Sequence, residues 1–261
     1  MKKIISLTLS ALVLLTSCKK DHDNDKSGVF KGPEQQVYQG KSWTWVQIDR
    51  NGNPERLAIT LTDAVLNSVP VGDHHEGGDD HNHEAAWTLK FHPKAGITPF
   101  NHVGMGWNPN GHEPEAIYGK PHFDFHFYMM TPAEVAAIPP YEVDSLKFKN
   151  WPAPAYLPPT YFNAGGGVPQ MGAHWVDVTS GEFNGQEFTQ TFIYGSYDGK
   201  VTFYEPMITL AFLKNNANFE RAIPQPAKFQ KTGYYPTKLR VVKHDGLTEI
   251  ILDNFVYRTA S

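Results

Sequence analysis

Along most of the chain, apolar and polar residues alternate with a period of two, the spacing that a half-buried β-strand produces. The alternation is plainest in three stretches, "SWTWVQIDRNGNPERLAITLT", "FTQTFIYGSYDGKVTFYEP" and "KLRVVKHDGLTEIILDNFVYR", broken by Asn51-Gly52, Asp198-Gly199 and Asp245-Gly246 respectively. An Asx-Gly pair supplies the positive φ of a tight turn, so each stretch is predicted to be an antiparallel hairpin. A fourth alternating run, "GKPHFDFHFYMM" at residues 119–130, sets His122, Asp124 and His126 on one register and Phe123, Phe125 and Phe127 on the other. Only "TPAEVAAI" carries helical signals: Thr131 can cap, Pro132 suits the first helical position and Glu134 completes a capping box. Residues 139–169 hold seven of the chain's twenty prolines. They are predicted to form an ordered but irregular crossover packed by its aromatic side chains. So many strands beside one short helix predict an all-β fold, an antiparallel β-sandwich or barrel.

The opening residues bear on where such a domain works. In "MKKIISLTLSALVLLTSCKK", Lys2 and Lys3 precede an apolar run at residues 4–15, too short to span a bilayer comfortably and laid out as a secretory signal. Leu15-Thr16-Ser17-Cys18 resembles the bacterial lipobox, which implies cleavage before Cys18 and lipid on that cysteine. Residues 1–17 are therefore expected to be a lipoprotein signal peptide, 18–33 a lipidated cysteine with a charged, flexible spacer, and 34–261 a single β domain. The expected location is the cell envelope, on the periplasmic side or the cell surface, with the membrane as a partner through lipid alone. Net charge is −4, and the lysines and arginines are scattered without a basic patch, which argues against nucleic acid. Cys18 is the only cysteine. The mature domain then has no internal disulfide and no thiolate ligand, so any metal must be held by nitrogen and oxygen.

Nitrogen is plentiful, with twelve histidines in the chain. His74, His75, His81 and His83 alternate with acids and glycines in "VGDHHEGGDDHNHEAA", which reads as a low-complexity surface loop at about residues 72–84. Ordering such side chains costs conformational entropy, so weak, adventitious zinc, nickel or copper binding is expected there rather than a defined site. The alternating run is the stronger candidate. Residues two apart on a strand share a face, so His122, Asp124 and His126 project together. Their outer Cα atoms are about 13 Å apart at about 3.3 Å per residue, a span that two inward-leaning imidazoles can just close on one ion above Asp124. The plainer reading is the polar face of a half-exposed strand, and for these three residues alone neither reading outweighs the other.

Their company favours ligation. His112 stands in "GWNPNGHEPEAIYGKP", His174 beside Trp175 in "GGGVPQMGAHWVD", and Glu205 closes "KVTFYEP". Taken singly, His174 reads as a histidine packed on its tryptophan and Glu205 as an exposed strand-end acid. Taken jointly, His122, Asp124, His126 and His174, completed by His112 or Glu205, make a site suited to zinc, iron, manganese or copper. Other chemistries fit less well. There is no Gly-x-Ser-x-Gly elbow, and Gly165-Gly166-Gly167 lacks the Lys-Ser/Thr of a phosphate loop. Asp124 with Glu205 could serve a glycosidase, but the surrounding histidines make metal ligation the simpler account.

The strings "WNPNGHEPE", "PHFDFHFY", "GGVPQMGAHW" and "TFIYGSYDGKVTFYEPM", spread over residues 107–207, resemble a family of secreted bacterial β proteins that carries a domain of unknown function. The resemblance implies a shared fold and a shared site at His112, His122, Asp124, His126, His174 and Glu205, and brings no established reaction. A looser likeness is to the cupins, whose metal sites use histidines two apart on one strand with a glutamate and a later histidine. Here Asp124 stands between the histidines, no glutamate follows His126 at the customary distance, and Pro169-x-x-Gly172-x-His174 has altered spacing. Two function classes stay open. The first is a lipid-anchored transition-metal protein, which is an enzyme on a small-molecule substrate if an open coordination position activates water or a substrate oxygen. The alternative is a non-catalytic metal-handling lipoprotein, or a structural, homo-oligomeric one whose histidines form a hydrogen-bonded core network.

Overall fold

All three Asx-Gly hairpins are present, and they organise two antiparallel sheets of seven strands each. The computed structural model describes residues 27–72 and 85–261. Cys18, the signal segment and the histidine tract at residues 74–83 lie outside the described residues.

In the first sheet, β1 (Gly28–Lys31) and β2 (Gln35–Val37) both pair with β3 (Gly40–Ile48), which continues through β4 (Pro54–Thr62) to the long C-terminal hairpin. The second sheet holds β5 (Ala85–Lys90), β6 (His102–Asn108), β7 (His122–Tyr128), β8 (Tyr161–Asn163), β9 (Ala173–Asp177), β10 (Gln190–Tyr197) and β11 (Lys200–Thr209). The first sheet is completed by β12 (Asn218–Ala222), β13 (Gly233–His244) and β14 (Leu247–Arg258). Strand order is β1-β3-β4-β14-β13-β12 in the first sheet, and β5-β6-β7-β11-β10-β9-β8 in the second. Neither sheet closes on itself, so of the two expected architectures the chain adopts the sandwich. Asp198 and Gly199 both have positive φ, 48° and 75°, as do Asp245 and Gly246 at 48° and 78°, the left-handed turn conformations that Asx-Gly accepts with least strain.

The core lies between the sheets. Leu57, Ile59 and Leu61 of β4 and Ile250 and Leu252 of β14 meet Phe123, Phe125 and Phe127 of β7 in one buried cluster. Burying a side chain of this size is worth about 1.5–3 kcal/mol, so the three phenylalanines alone fix which face of β7 turns inward. The polar row of β7 must then point away from the other sheet.

The structure adds to the sequence expectation in two places. β1 pairs with β3 from Gly28 onward, so part of the segment expected as spacer belongs to the first sheet. The expected helix is α3 (Pro132–Ala136), with its capping box formed between Thr131 and Glu134. Four others join it: α1 (Asp63–Ser68), α2 (Glu115–Tyr118), α4 (Ser145–Lys149) and α5 (Leu210–Asn215). None exceeds six residues, too short for a 3.6-residue apolar period to register against a strand-like background. Among the described residues no helix is long and apolar enough to cross a membrane. The proline-rich crossover carries α4, a 3-10 turn at Pro154–Tyr156 and the edge strand β8, and parts of it come to lie over the outer face of the second sheet.

Candidate metal centre

β7 is buried along its whole length. The sandwich core covers its phenylalanine face, and the loops before and after the strand cover its polar face, leaving His122 at 0 %, Asp124 at 2 % and His126 at 2 % exposure. The polar row is therefore no wet strand face.

Its neighbours in the sheet follow from the register. β6 sets Asn108, Gly106 and Gly104 beside His122, Asp124 and His126. On the other side, the pairings Met207 with Asp124 and Tyr204 with Phe127 place Glu205 across from His126. Glu205 in turn lies beside Ile193 of β10, and His174 of β9 lies beside Gly195. Trp175 faces the opposite way from His174, donating its indole N–H to Ser196 Oγ at 2.8 Å and packing in the main core. Alternation along β9 thus frees His174 from its tryptophan and turns it to the ring of Phe203, 5.3 Å between centroids.

The six sequence-predicted residues meet on one face, but they divide into two groups instead of surrounding one ion. His112, His122 and Asp124 form one, and His126, His174 and Glu205 the other, each with ligand atoms within 4.8 Å of one another. The lean of the rings accounts for the division. His122 and His126 lean toward different partners, His122 Nε2 lying 3.2 Å from Asp124 Oδ1 and His126 Nε2 lying 3.3 Å from Glu205 Oε1. His112 and Glu205, weighed as alternatives from the sequence, each complete a separate group.

In the first group the hydrogen bonds settle the histidine tautomers. His122 Nδ1 lies 2.6 Å from the Lys120 carbonyl and His112 Nδ1 lies 2.8 Å from the Glu113 carbonyl. A carbonyl only accepts, so both Nδ1 atoms carry a proton, and in the neutral form of each ring Nε2 presents a lone pair. His122 Nε2 then faces a carboxylate oxygen, an acceptor opposite an acceptor. A positive charge between them, a proton or a metal ion, makes that arrangement favourable. Asn108 holds the carboxylate in place by donating from Nδ2 to Asp124 Oδ2 at 2.9 Å, the kind of outer contact that orients a ligand.

In the second group Glu205 is central. It is 2 % exposed, with His126 at 3.3 Å from one oxygen and His174 at 3.7 Å from the other, and its Oε2 makes no hydrogen bond. Burial, and secondarily the nearby Asp124, push its carboxyl well above the usual carboxylate range. Both groups border a cavity of about 550 Å³ walled by Tyr118, Ile193 and Met207 and roofed by Tyr141, Met171 and residues 165–167 of the crossover. His112 and His174 stand at its mouth, 23 % and 19 % exposed. His122 lies behind Asp124 and does not line it. No lysine or arginine lines the cavity among the described residues.

Three contributors escaped the sequence reading. Asn108 was legible only as part of the "WNPNGHEPE" string. Tyr118, whose buried hydroxyl lines the cavity without a hydrogen bond, sits on a four-residue helix that left no periodic signal. Phe203 packs its ring against both His126 and His174, and nothing in the alternation around it marks it as part of a site. Comparison of the chain with protein-family models, curated proteins and solved structures returns no match.

Proposed function

We propose that the chain is a lipid-anchored protein of the cell envelope that binds a transition metal in this cavity, with His126, His174 and Glu205 as primary ligands and His112, His122 and Asp124 as a second set beside them. The observation that carries the reading is Glu205, a carboxylate buried between two imidazoles in a cavity that, among the described residues, no lysine or arginine lines. A buried carboxylate is costly unless a cation accompanies it, and a dication shared with two neutral histidines offsets that cost directly. Two nitrogens and one carboxylate suit zinc, iron(II), manganese or copper(II).

With three protein ligands, a bound metal would have room for water or a substrate oxygen and would supply the acidity to activate it. A volume of about 550 Å³ lies within the range of small-molecule sites. The Tyr118 hydroxyl, its proton held tightly because burial and then Glu182, Glu205 and Asp124 disfavour the phenolate, is placed to donate a hydrogen bond into that space. These features support a metal-dependent enzyme acting on a small molecule.

The test is metal analysis of exported, tag-free protein in which His74, His75, His81 and His83 are replaced by serine, so that the loop contributes nothing. We expect about one equivalent of metal or more per chain, most of it lost on His126→Ala or His174→Ala. Each substitution should lower the melting temperature of the metal-loaded protein by clearly more than that of the chelator-treated one, because metal stabilises by linkage in addition to the packing that both states lose. Metal-free protein whose unfolding chelator leaves unaltered would overturn the reading and favour a hydrogen-bonded histidine network.

A further inference from the structure

Strand β11 borders two cavities. Glu205 and Met207 line that of the metal site, whereas Lys200, Val201, Thr202 and Tyr204, around a β-bulge, line a second cavity of about 600 Å³. Its body is apolar, formed by Met129, Met130, Ala137, Tyr204, Phe229 and Tyr235, and its charged lining is Lys147, Lys200, Lys228 and Lys231 against Glu134 and Asp198.

The acids are also engaged by neutral donors. Glu134 caps α3, accepting from the Thr131 N–H and hydroxyl at 2.8 Å each, and Asp198 accepts from Asn150 Nδ2 at 3.0 Å. Lys147 pairs with Asp144 at 2.8 Å, and Lys231 donates to the Met129 carbonyl at 2.8 Å. Lys200 and Lys228 line the same cavity, and neither makes an ion pair within 4 Å among the described residues. Four lysines against two acids leave this lining with a local surplus of positive charge, in a chain whose net charge is −4. Thr202 adds a second, independent sign. Its side chain is 1 % exposed, lines the cavity, and its Oγ1 has no hydrogen-bond partner among the described residues. A buried hydroxyl left unpaired costs on the order of 1–3 kcal/mol, a penalty that a ligand oxygen at this spot removes.

We propose that this cavity binds an amphipathic organic anion, a small carboxylate with an apolar body, whose charge is met by Lys200 and Lys228 and whose oxygen pairs with the Thr202 hydroxyl. The apolar lining selects against bare inorganic anions, and the lysines against amphipathic cations. The two cavities along β11 thereby take chemically opposite occupants, a metal cation against Glu205 and an organic anion against Lys200.

Calorimetric titration of the full mature chain with decanoate tests the assignment. Chelator-treated protein is used, so that carboxylate ligation in the metal cavity contributes no heat. We expect saturable binding of one decanoate, about tenfold or more weaker in the double variant Lys200→Glu/Lys228→Glu, whose exposed positions leave the fold intact. Thr202→Val should weaken decanoate binding while holding or raising the melting temperature of the unliganded protein, a combination that a purely structural hydroxyl would not give. Absence of saturable binding would overturn the proposal, as would decyltrimethylammonium or inorganic phosphate binding as tightly as decanoate. Unchanged affinity in the lysine double variant would do so too.

Discussion

At the scale of single residues, two buried titratable groups make opposite demands on pH. His102 is 2 % exposed and stacked on Tyr128 with ring centroids 5.0 Å apart, and burial pushes its imidazole down to about 4 from the ordinary 6.5. Between those values the unfolded chain binds a proton that the folded protein refuses. Stability must therefore fall as pH drops through that window, by on the order of 3 kcal/mol in total. We expect His102→Phe, which keeps the stacking and removes the titration, to flatten the decline of urea midpoint between neutral pH and pH 4 (measured on both proteins in parallel). Glu205 in metal-free protein behaves the other way. Its raised carboxyl contributes stability that is present below the ordinary value of 4.5 and lost as pH rises through the folded value. Glu205→Gln should accordingly raise the melting temperature of chelator-treated protein at neutral pH by a few degrees, while removing metal. A lower melting temperature would mean that protonated His126 and His174 already neutralise the carboxylate.

At the scale of elements, the site depends on a close approach within the sheet. A Cβ on Gly195 would lie 2.0 Å from the Phe203 ring, and that ring packs on His126 and His174 at 4.9 and 5.3 Å. Gly195→Ala should therefore destabilise the protein by about 1–3 kcal/mol and weaken metal binding by displacing Phe203 into the histidines. Adding Phe203→Leu should recover part of both losses, and melting curves with and without metal check each variant. Legibility in the sequence follows the same scale. The hairpins and the polar row of β7 rest on residues two to four apart, so the alternation and the Asx-Gly pairs exposed them. The pairing of β7 with β11 joins positions about eighty apart and sets Glu205 across from His126, a fact no local pattern encodes. The cover over the polar row comes from irregular, proline-rich chain, which is why His122 and His126 looked as much like a solvated face as like ligands. Their division between two groups is a matter of which way each ring leans, and spacing alone leaves that open.

At the scale of the whole molecule, every residue of the proposed centre comes from the second sheet and its loops, and the first sheet serves as its backing. An anchor upstream of β1 would attach to the backing sheet, since β1 is an edge strand of that sheet. Growth with a labelled fatty acid should label the wild-type protein and leave Cys18→Ala unlabelled; a variant that still takes up label would end the proposal of a lipid on that cysteine. The alternation along β7 has a further consequence, for inheritance. One codon gained or lost inside the seven codons for His122–Tyr128 would exchange the two faces downstream of it, sending a histidine into the core and a phenylalanine into the cavity, and both fold and site would fail together. The same change in the segments on either side would be absorbed by loop. Lineages of this gene should thus vary freely in the length of those flanking segments while the length of β7 itself stays fixed.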